Sequence, residues 1–258
     1  MISKNQIKLV RQLEQKKYRQ REGLFVAEGP KVVGDLLRAG YKAAALYAVY
    51  TDVWHVEGVG DVSCKPITAD ELRKVSFLQH PQQVLGVFPL PKPLLSTSDG
   101  MSFDPEGLFL ALDGVQDPGN LGTIIRVADW FGIGTIFCSE DTADAWNPKV
   151  VQATMGSIAR VRLVYGSLEG LMDSLPPDYP VYGTLLDGEN IYAQQLTPQG
   201  IIVMGNEGNG ISAAIRRRVN RRLLIPDFHK DGETADSLNV AIATAITCSE
   251  FRRRGCAM

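Results

Sequence analysis

The sequence predicts an α/β protein in two parts: a small N-terminal α/β unit and a larger C-terminal domain built on a parallel sheet. Three observations carry this. From residue 108 onward, apolar strand-like runs alternate with helical stretches. Residues 89–107, PLPKPLLSTSDGMSFDPEG, are rich in Pro, Ser and Gly and form the best linker in the chain. Charge also divides across that linker: residues 1–95 hold 14 Lys and Arg against 9 Asp and Glu (net +5), and residues 96–258 hold 13 against 20 (net -7). The division is therefore 1–90 for the first domain, 91–107 for the linker and 108–258 for the second.

In the first part, residues 3–20 read as a helix, with Ile7, Val10 and Leu13 on one face and Lys4, Lys8 and Arg11 on another. LFVAE (24–28) reads as a strand. Pro30 suits the first turn of a helix that runs to about Ala39 and stops at Gly40. AALYAVY is a second strand. Thr68 and Glu71 form a capping box for the short helix TADELRKVS, and VLGVFPL is a third strand.

In the second part the order is strand LFLALDG and helix NLGTIIRVADWFG, strand TIFCSE and helix Pro148–Ala159, strand VRLVYG and helix SLEGLMDSL. The strands YPVYGTLL and GIIVMG, helix ISAAIRRRVN, strand RRLLIP and helix SLNVAIATAITCSEFRR complete it. Nearly continuous apolar strands between helices indicate a parallel sheet covered on both faces.

Several classes are excluded. Cys64, Cys138, Cys248 and Cys256 form no CxxC, and His55, His80 and His229 are scattered, so no metal site or disulfide framework is indicated. MISKNQIKLVRQ lacks a signal-peptide core, and no 18-residue apolar run exists; a soluble cytoplasmic protein with no membrane partner is expected. The basic first part suggests an anionic partner, nucleic acid foremost, with chance asymmetry as the plain alternative. Lys16, Lys17, Arg19 and Arg21 around Tyr18 are the better nucleic-acid candidates. Arg216–Arg218, Arg221–Arg222 and Arg252–Arg254 serve equally well as helix-end charges.

Ligands of open parallel sheets bind beyond the carboxyl ends of the strands. Three unusual loops lie there: DGVQDPGNLG (113–122), GNEGNG (205–210) and PDFHKDGETADSLN (226–239). None is a phosphate cradle. Gly114 and Gly119 have the Walker spacing, but Asn120 and Leu121 follow them, and GNEGNG reverses the dinucleotide spacing. In the helix after the first loop, Leu121, Ile124, Ile125, Ala128 and Phe131 share a face that should pack on the sheet. Arg126 falls opposite, beside Thr123 and Trp130. A solvated arginine is the ordinary reading; the outward Trp130 points instead to a surface that meets a partner. LNVAIATAI in the last helix is apolar on nearly all sides, as enclosure or a subunit interface requires, and an interface shared with the helix carrying Arg126 is the favoured expectation.

DPGNLGTIIRVADWFG, VMGNEGNGIS and IPDFHKDGETADSLNVAIATAI, in this order, resemble the three motifs of the SpoU (TrmH) family of RNA ribose methyltransferases in the SPOUT superfamily, over about residues 108–258. KYRQREGLFVAEGPKVV is more loosely similar to the RNA substrate-binding domain that many members carry. The resemblance implies a deep trefoil knot, S-adenosylmethionine as cofactor, a homodimer through the knotted domain, and methylation of a ribose 2′-hydroxyl. Ribosomal RNA is the first expectation for the substrate and transfer RNA the second. It implies catalytic roles for Asn120, Arg126, Glu207, Ser237 and Asn239, with the cofactor held near Leu185, Gly205, Ile225 and Leu238. The third loop is longer than in many members, by the insert HKDGE (229–233), and Asp236 stands before Ser237 where Glu is frequent. Arg126 as a base would have to lose its proton, which costs roughly 7 kcal/mol at neutral pH for an arginine; as a cation it would stabilise the developing alkoxide. Both roles are open, the second slightly favoured. The alternative from another class is a non-catalytic RNA-binding factor that retains the fold.

Overall fold

A computed structural model describes residues 1–91, 104–228 and 235–255. Most of the expected linker and the HKDGE insert lie outside the described residues. The chain forms two compact units: Met1–Lys92 with Asp144–Arg160, and Pro93–Ala143 with Val161–Met258.

The first unit begins with α1 (Lys4–Gln12) and α2 (Lys16–Glu22), where the sequence indicates one helix. The break has a physical cause. Leu13 is fully buried, and Arg19 turns inward to donate to the carbonyls of Leu13 and Glu14 at 2.8 and 2.7 Å, capping the end of the first helix. Then follow β1 (Leu24–Glu28), α3 (Pro30–Arg38), β2 (Ala45–Val49), β3 (Val53–Val56), β4 (Gly60–Ser63), β5 (Lys65–Ile67), α4 (Ala69–Val75) and β6 (Val84–Pro89). The sheet order is β1-β6-β2-β5, and β3 and β4 form a separate hairpin that the sequence reading passed over. The capping box of Thr68 and Glu71 forms as expected, and Ser3 with Gln6 makes a second at α1. Ile2, Val10, Leu13, Val26, Tyr47, Leu72 and Leu85 are among the residues of this unit's core.

The same unit contains Asp144–Arg160. Trp146 packs on Phe25 with ring centroids 4.6 Å apart, and Arg19 forms an ion pair with Asp144. Arg19 is only 2% exposed, so the expectation that it joins Lys16, Lys17 and Arg21 on a nucleic-acid surface is corrected: it holds the fold. Lys17 and Arg21 do sit over the Tyr18 ring, at 5.0 and 4.7 Å from its centroid.

The second unit is built from β7 (Leu108–Asp113), α5 (Pro118–Trp130) and β8 (Thr135–Cys138). Next comes the segment lent to the first unit, with α6 (Pro148–Ala153) and a 3-10 turn (Ser157–Ala159). The single helix expected over 148–159 is interrupted because Met155 and Gly156 take positive φ, 51° and 98°. The chain returns through β9 (Arg162–Tyr165), α7 (Leu168–Asp173), β10 (Val181–Asn190), β11 (Gly200–Gly205), α8 (Ala213–Arg216), β12 (Arg221–Leu224) and α9 (Val240–Gly255).

All pairings in this sheet are parallel, in the order β12-β10-β11-β7-β8-β9. Phe109, Ala111, Phe137, Val164, Val181, Ile201 and Val203 share one core cluster with Leu168 and Leu171 of α7 and Ile215 of α8. On α5, Leu121, Ile124, Ile125 and Ala128 are buried, Phe131 is half-buried, and Arg126 and Trp130 are exposed. Helix α9 packs against α5 and β11, with Phe251 edge-on to Tyr182 at 4.8 Å. Enclosure thus accounts for most of its apolar surface; Ile242 remains 52% exposed.

Candidate functional site

Strands β7, β8 and β9 run outward on one side of β7, while β11 lies on its other side. The order reverses between β7 and β11, which is where an open parallel sheet leaves a crevice at its carboxyl edge. The register sets Asp113 level with Gly205, so the loops 113–122 and 205–210 leave adjacent strand ends side by side.

Helix α5 starts cleanly there. Asp117 is its N-cap and accepts from the Asn120 amide at 2.8 Å, and Pro118 fills the first helical position. This leaves the Asn120 side chain free for other work. Its Nδ2 donates to Oε1 of Glu207 at 3.0 Å, and its Oδ1 accepts from Nδ2 of Asn239 at 2.9 Å. Glu207 also accepts long contacts from the Gln116 and Asp117 amides, 3.4 and 3.5 Å. Asn239 in turn accepts from the Ala241 amide at 3.0 Å in the first turn of α9. One relay, Asn239 to Asn120 to Glu207, therefore joins the three loops that the sequence singled out.

A second set of contacts shapes the loops. Asn206 Nδ2 donates to the Gly114 carbonyl at 2.7 Å, and its Oδ1 accepts from the Gly208 and Asn209 amides at 2.9 and 3.0 Å. The Gly114 amide donates to Ser139 Oγ at 2.8 Å, and the Ser212 amide to Asp113 Oδ2 at 2.7 Å. The sequence reading did not single out Asn206 or Ser139; an Asx pattern two and three residues ahead of Gly208 and Asn209 was the available signal. Gly205 is required by its own loop: a Cβ there would lie 2.3 Å from the Gly210 carbonyl carbon.

Not every residue of the set joins the relay. Arg126 lies six positions after Asn120, about 9 Å along α5 and roughly 120° around it. It is exposed, and among the described residues it makes no ion pair. Glu207 is occupied by Asn120 and the loop amides rather than by Arg126. Ser237 is exposed, two residues before the relay's Asn239.

The apolar positions lie at the same carboxyl edge. Thr184 and Glu189 both pair with Leu223, so residues 185–188 have no partner in the β12 register and bulge out of the ladder. Gly188 permits this, since a Cβ there would meet the Leu223 backbone at 2.5 Å. Asp187 pins the bulge through Arg216 and Arg222, which gives two of the basic-run arginines a structural role. Leu185 packs on the core cluster, Ile225 is half-buried, and Leu186 and Leu238 are exposed. Apolar side chains beside unladdered main-chain groups suit a nucleoside-bearing ligand.

Other chemistries find no support. Burial pushes the thiols of Cys138 and Cys248 up to about 12, so neither offers a thiolate at neutral pH. Among the described residues there is no cluster of three or more His, Cys, Asp or Glu side chains able to hold a metal ion. No helix among them is long and apolar enough to cross a membrane.

Comparison with known proteins agrees with this architecture. Residues 107–249 match the SpoU rRNA Methylase family, and residues 4–86 match the MRM3-like substrate binding domain. Over 256 residues, the chain is 32% identical to the 23S rRNA (guanosine(2553)-2′-O)-methyltransferase RlmP of Bacillus subtilis, with 97% of each covered. A TrmH-family protein from Porphyromonas gingivalis is 39% identical, covers 98% of this chain and 99% of its own, and superimposes with a TM-score of 0.79. The AdoMet-bound rRNA methyltransferase of Sinorhizobium meliloti is 30% identical, covers 98% and 97%, and superimposes with a TM-score of 0.83.

Proposed function

Because this chain belongs to the SpoU rRNA methylase family, we propose that it methylates a ribose 2′-hydroxyl of ribosomal RNA with S-adenosylmethionine as methyl donor. The observation that carries the reading is the relay Asn239–Asn120–Glu207, which ties the three motif loops together at the crevice of the parallel sheet. A fold kept only for RNA binding has no need of a buttressed strand-end crevice beside a separate substrate-binding domain. That argues for the enzyme over the binding factor.

The residues fit the cofactor. Leu185, Leu186, Ile225 and Leu238 would offer apolar contact to its nucleoside, and the unladdered main chain of 185–188 would offer hydrogen bonds. Gly205 would serve this indirectly, by letting its loop fold tightly at the cofactor's side. When bound, the cofactor supplies an activated methyl group on a sulfonium.

The protein's own work is then alignment and charge. Arg126, exposed and without an ion pair among the described residues, would meet the RNA from the outer face of α5, where as a cation it lowers the cost of the developing alkoxide. Asn120 and Glu207 hold the start of α5, and so the path of that helix, in register with the two neighbouring loops. Ser237 and Asn239 lie on the substrate side, Asn239 fixing the first turn of α9. Trp130 and Ile242, 85% and 52% exposed, support a homodimer that brings two knotted domains together.

The decisive experiment maps 2′-O-methylated nucleotides in ribosomal and transfer RNA from a strain lacking the gene and from one with it restored. A single ribosomal RNA site that disappears and returns is expected. S-adenosylmethionine at a hundredfold excess over its Kd should raise the folding free energy by about 2.7 kcal/mol. Absence of both effects would leave the binding-factor reading.

A further inference from the structure

The first unit contains a cleft of about 300 Å³ that takes no part in the site above; Glu28, Phe77, Leu78, Lys149, Gln152 and Ala153 line it. Its size is at the small end of the range for ligand clefts. Glu28 closes β1 and is 5% exposed, yet among the described residues it has no ion-pair partner within 4 Å. Burial pushes its carboxyl up, opposed by the hydrogen bonds from Ser76 and Phe77 and by the Arg11 charge. Its oxygens accept from Ser76 Oγ and from the Phe77 amide, the latter at 2.8 Å. These contacts fix the group and leave a second lone pair on each oxygen. Arg11 donates to the Ser76 carbonyl at 2.6 Å and lies 4.9 Å from the Phe77 ring centroid, so the aromatic wall is clamped as well.

The chemistry of the lining selects its ligand. A carboxylate inside the cleft repels phosphate and calls for neighbouring N–H donors. Adenine and cytosine each present one amine beside an acceptor nitrogen, and uracil one N–H between two carbonyls. Only guanine presents an N1–H and an amine side by side. Structured RNA is read largely through bases drawn out of the stack onto aromatic side chains. Lys149, exposed at the rim, suits the flanking phosphate.

We propose that this cleft binds an unstacked guanine of the RNA substrate, with Glu28 accepting from its N1–H and exocyclic amine against a wall formed by Phe77 and Leu78. This rests on the reading of the chain as an RNA methyltransferase, and places a base-reading subsite in the unit that matches a substrate-binding domain.

The test is fluorescence anisotropy of the full chain with labelled decauridylates carrying one central G, A, C or inosine. The G oligomer should bind about tenfold tighter than A or C, and inosine, which lacks the amine, in between. Ala153→Trp, which fills the cleft from α6, should flatten that preference. Glu28→Gln, which exchanges one acceptor for a donor, should do the same wherever its melting profile shows a folded protein. Lys149→Ala should weaken all four oligomers alike. Equal binding of the four by the wild type, preference for another base, or a G preference that survives in Ala153→Trp overturns the proposal. If no oligomer binds while S-adenosylmethionine still stabilises the protein, the guanine subsite falls and the methyltransferase reading stands.

Discussion

Asn239 Nδ2 donates to Asn120 Oδ1 at 2.9 Å, joining the last loop of the chain to the first turn of α5 across 119 residues. Since Asn120 also donates to Glu207, one side chain serves both neighbours. Asn120→Ala removes both bonds at a half-exposed position, so folding stability should fall by only about 1–2 kcal/mol. The methylation rate should fall much further, by roughly 10²-fold, because the loops lose their common register. Comparing melting curves with single-turnover rates separates the two; equal losses in both would reduce the relay to a structural brace.

Arg126 gives a cleaner test, being exposed and without an ion-pair partner among the described residues. Arg126→Ala should leave melting and calorimetric cofactor affinity nearly unchanged while abolishing methyl transfer. A single-turnover rate within about tenfold of wild type, some 1.4 kcal/mol of barrier, would remove it from the chemistry.

Gly205→Ala would set a methyl group 2.3 Å from the backbone of Gly210. Backbone cannot yield as a side-chain tip can, so the 205–210 loop must open. We expect a loss of roughly 1–3 kcal/mol in stability and at least tenfold weaker cofactor binding by calorimetry.

Asp35 offers a pH signature in the first unit. Burial alone would raise its carboxyl, but Arg38, Arg160 and Lys31 together hold it below the usual carboxylate range. A depressed folded pKa stabilises above the unfolded value, and that stability is lost as pH falls through the folded pKa. Asp35→Asn should therefore destabilise by about 1–2 kcal/mol near pH 6. The gap to wild type should close below about pH 4. A gap independent of pH would assign the effect to packing against Gly156, whose Cβ position lies 2.0 Å from the Asp35 carboxylate.

Much of this was legible in local pattern. The stripe Leu121, Ile124, Ile125, Ala128 alone turns Arg126 and Trp130 outward, because a helix resting on a sheet buries a fixed angular sector. The Thr68–Glu71 capping box was readable because it is a contact over three residues. What escaped was either non-local or weakly patterned. Nothing near Arg19 marks it as buried, since its partner Asp144 is 125 residues away. The β3–β4 hairpin is short and its strands are only partly covered, so its alternation is weak. The site residues were named by motif, but that Asn120 and not Arg126 would engage Glu207 is a matter of helix phase and loop path that no motif encodes.

The loan of Asp144–Arg160 to the first unit also has a consequence for how the chain is born. When residue 92 leaves the ribosome, the first unit still lacks its last wall: Phe25 has no Trp146 against it and Arg19 no Asp144. About 70 further residues must follow, on the order of 3–14 s at common synthesis rates. By then β7 and β8 of the other unit have also been made. The first unit therefore closes only after the opening strands of the second have been made. The second must begin while the first waits, with an apolar ring and an inward-facing arginine as the surfaces that a nascent-chain chaperone would meet.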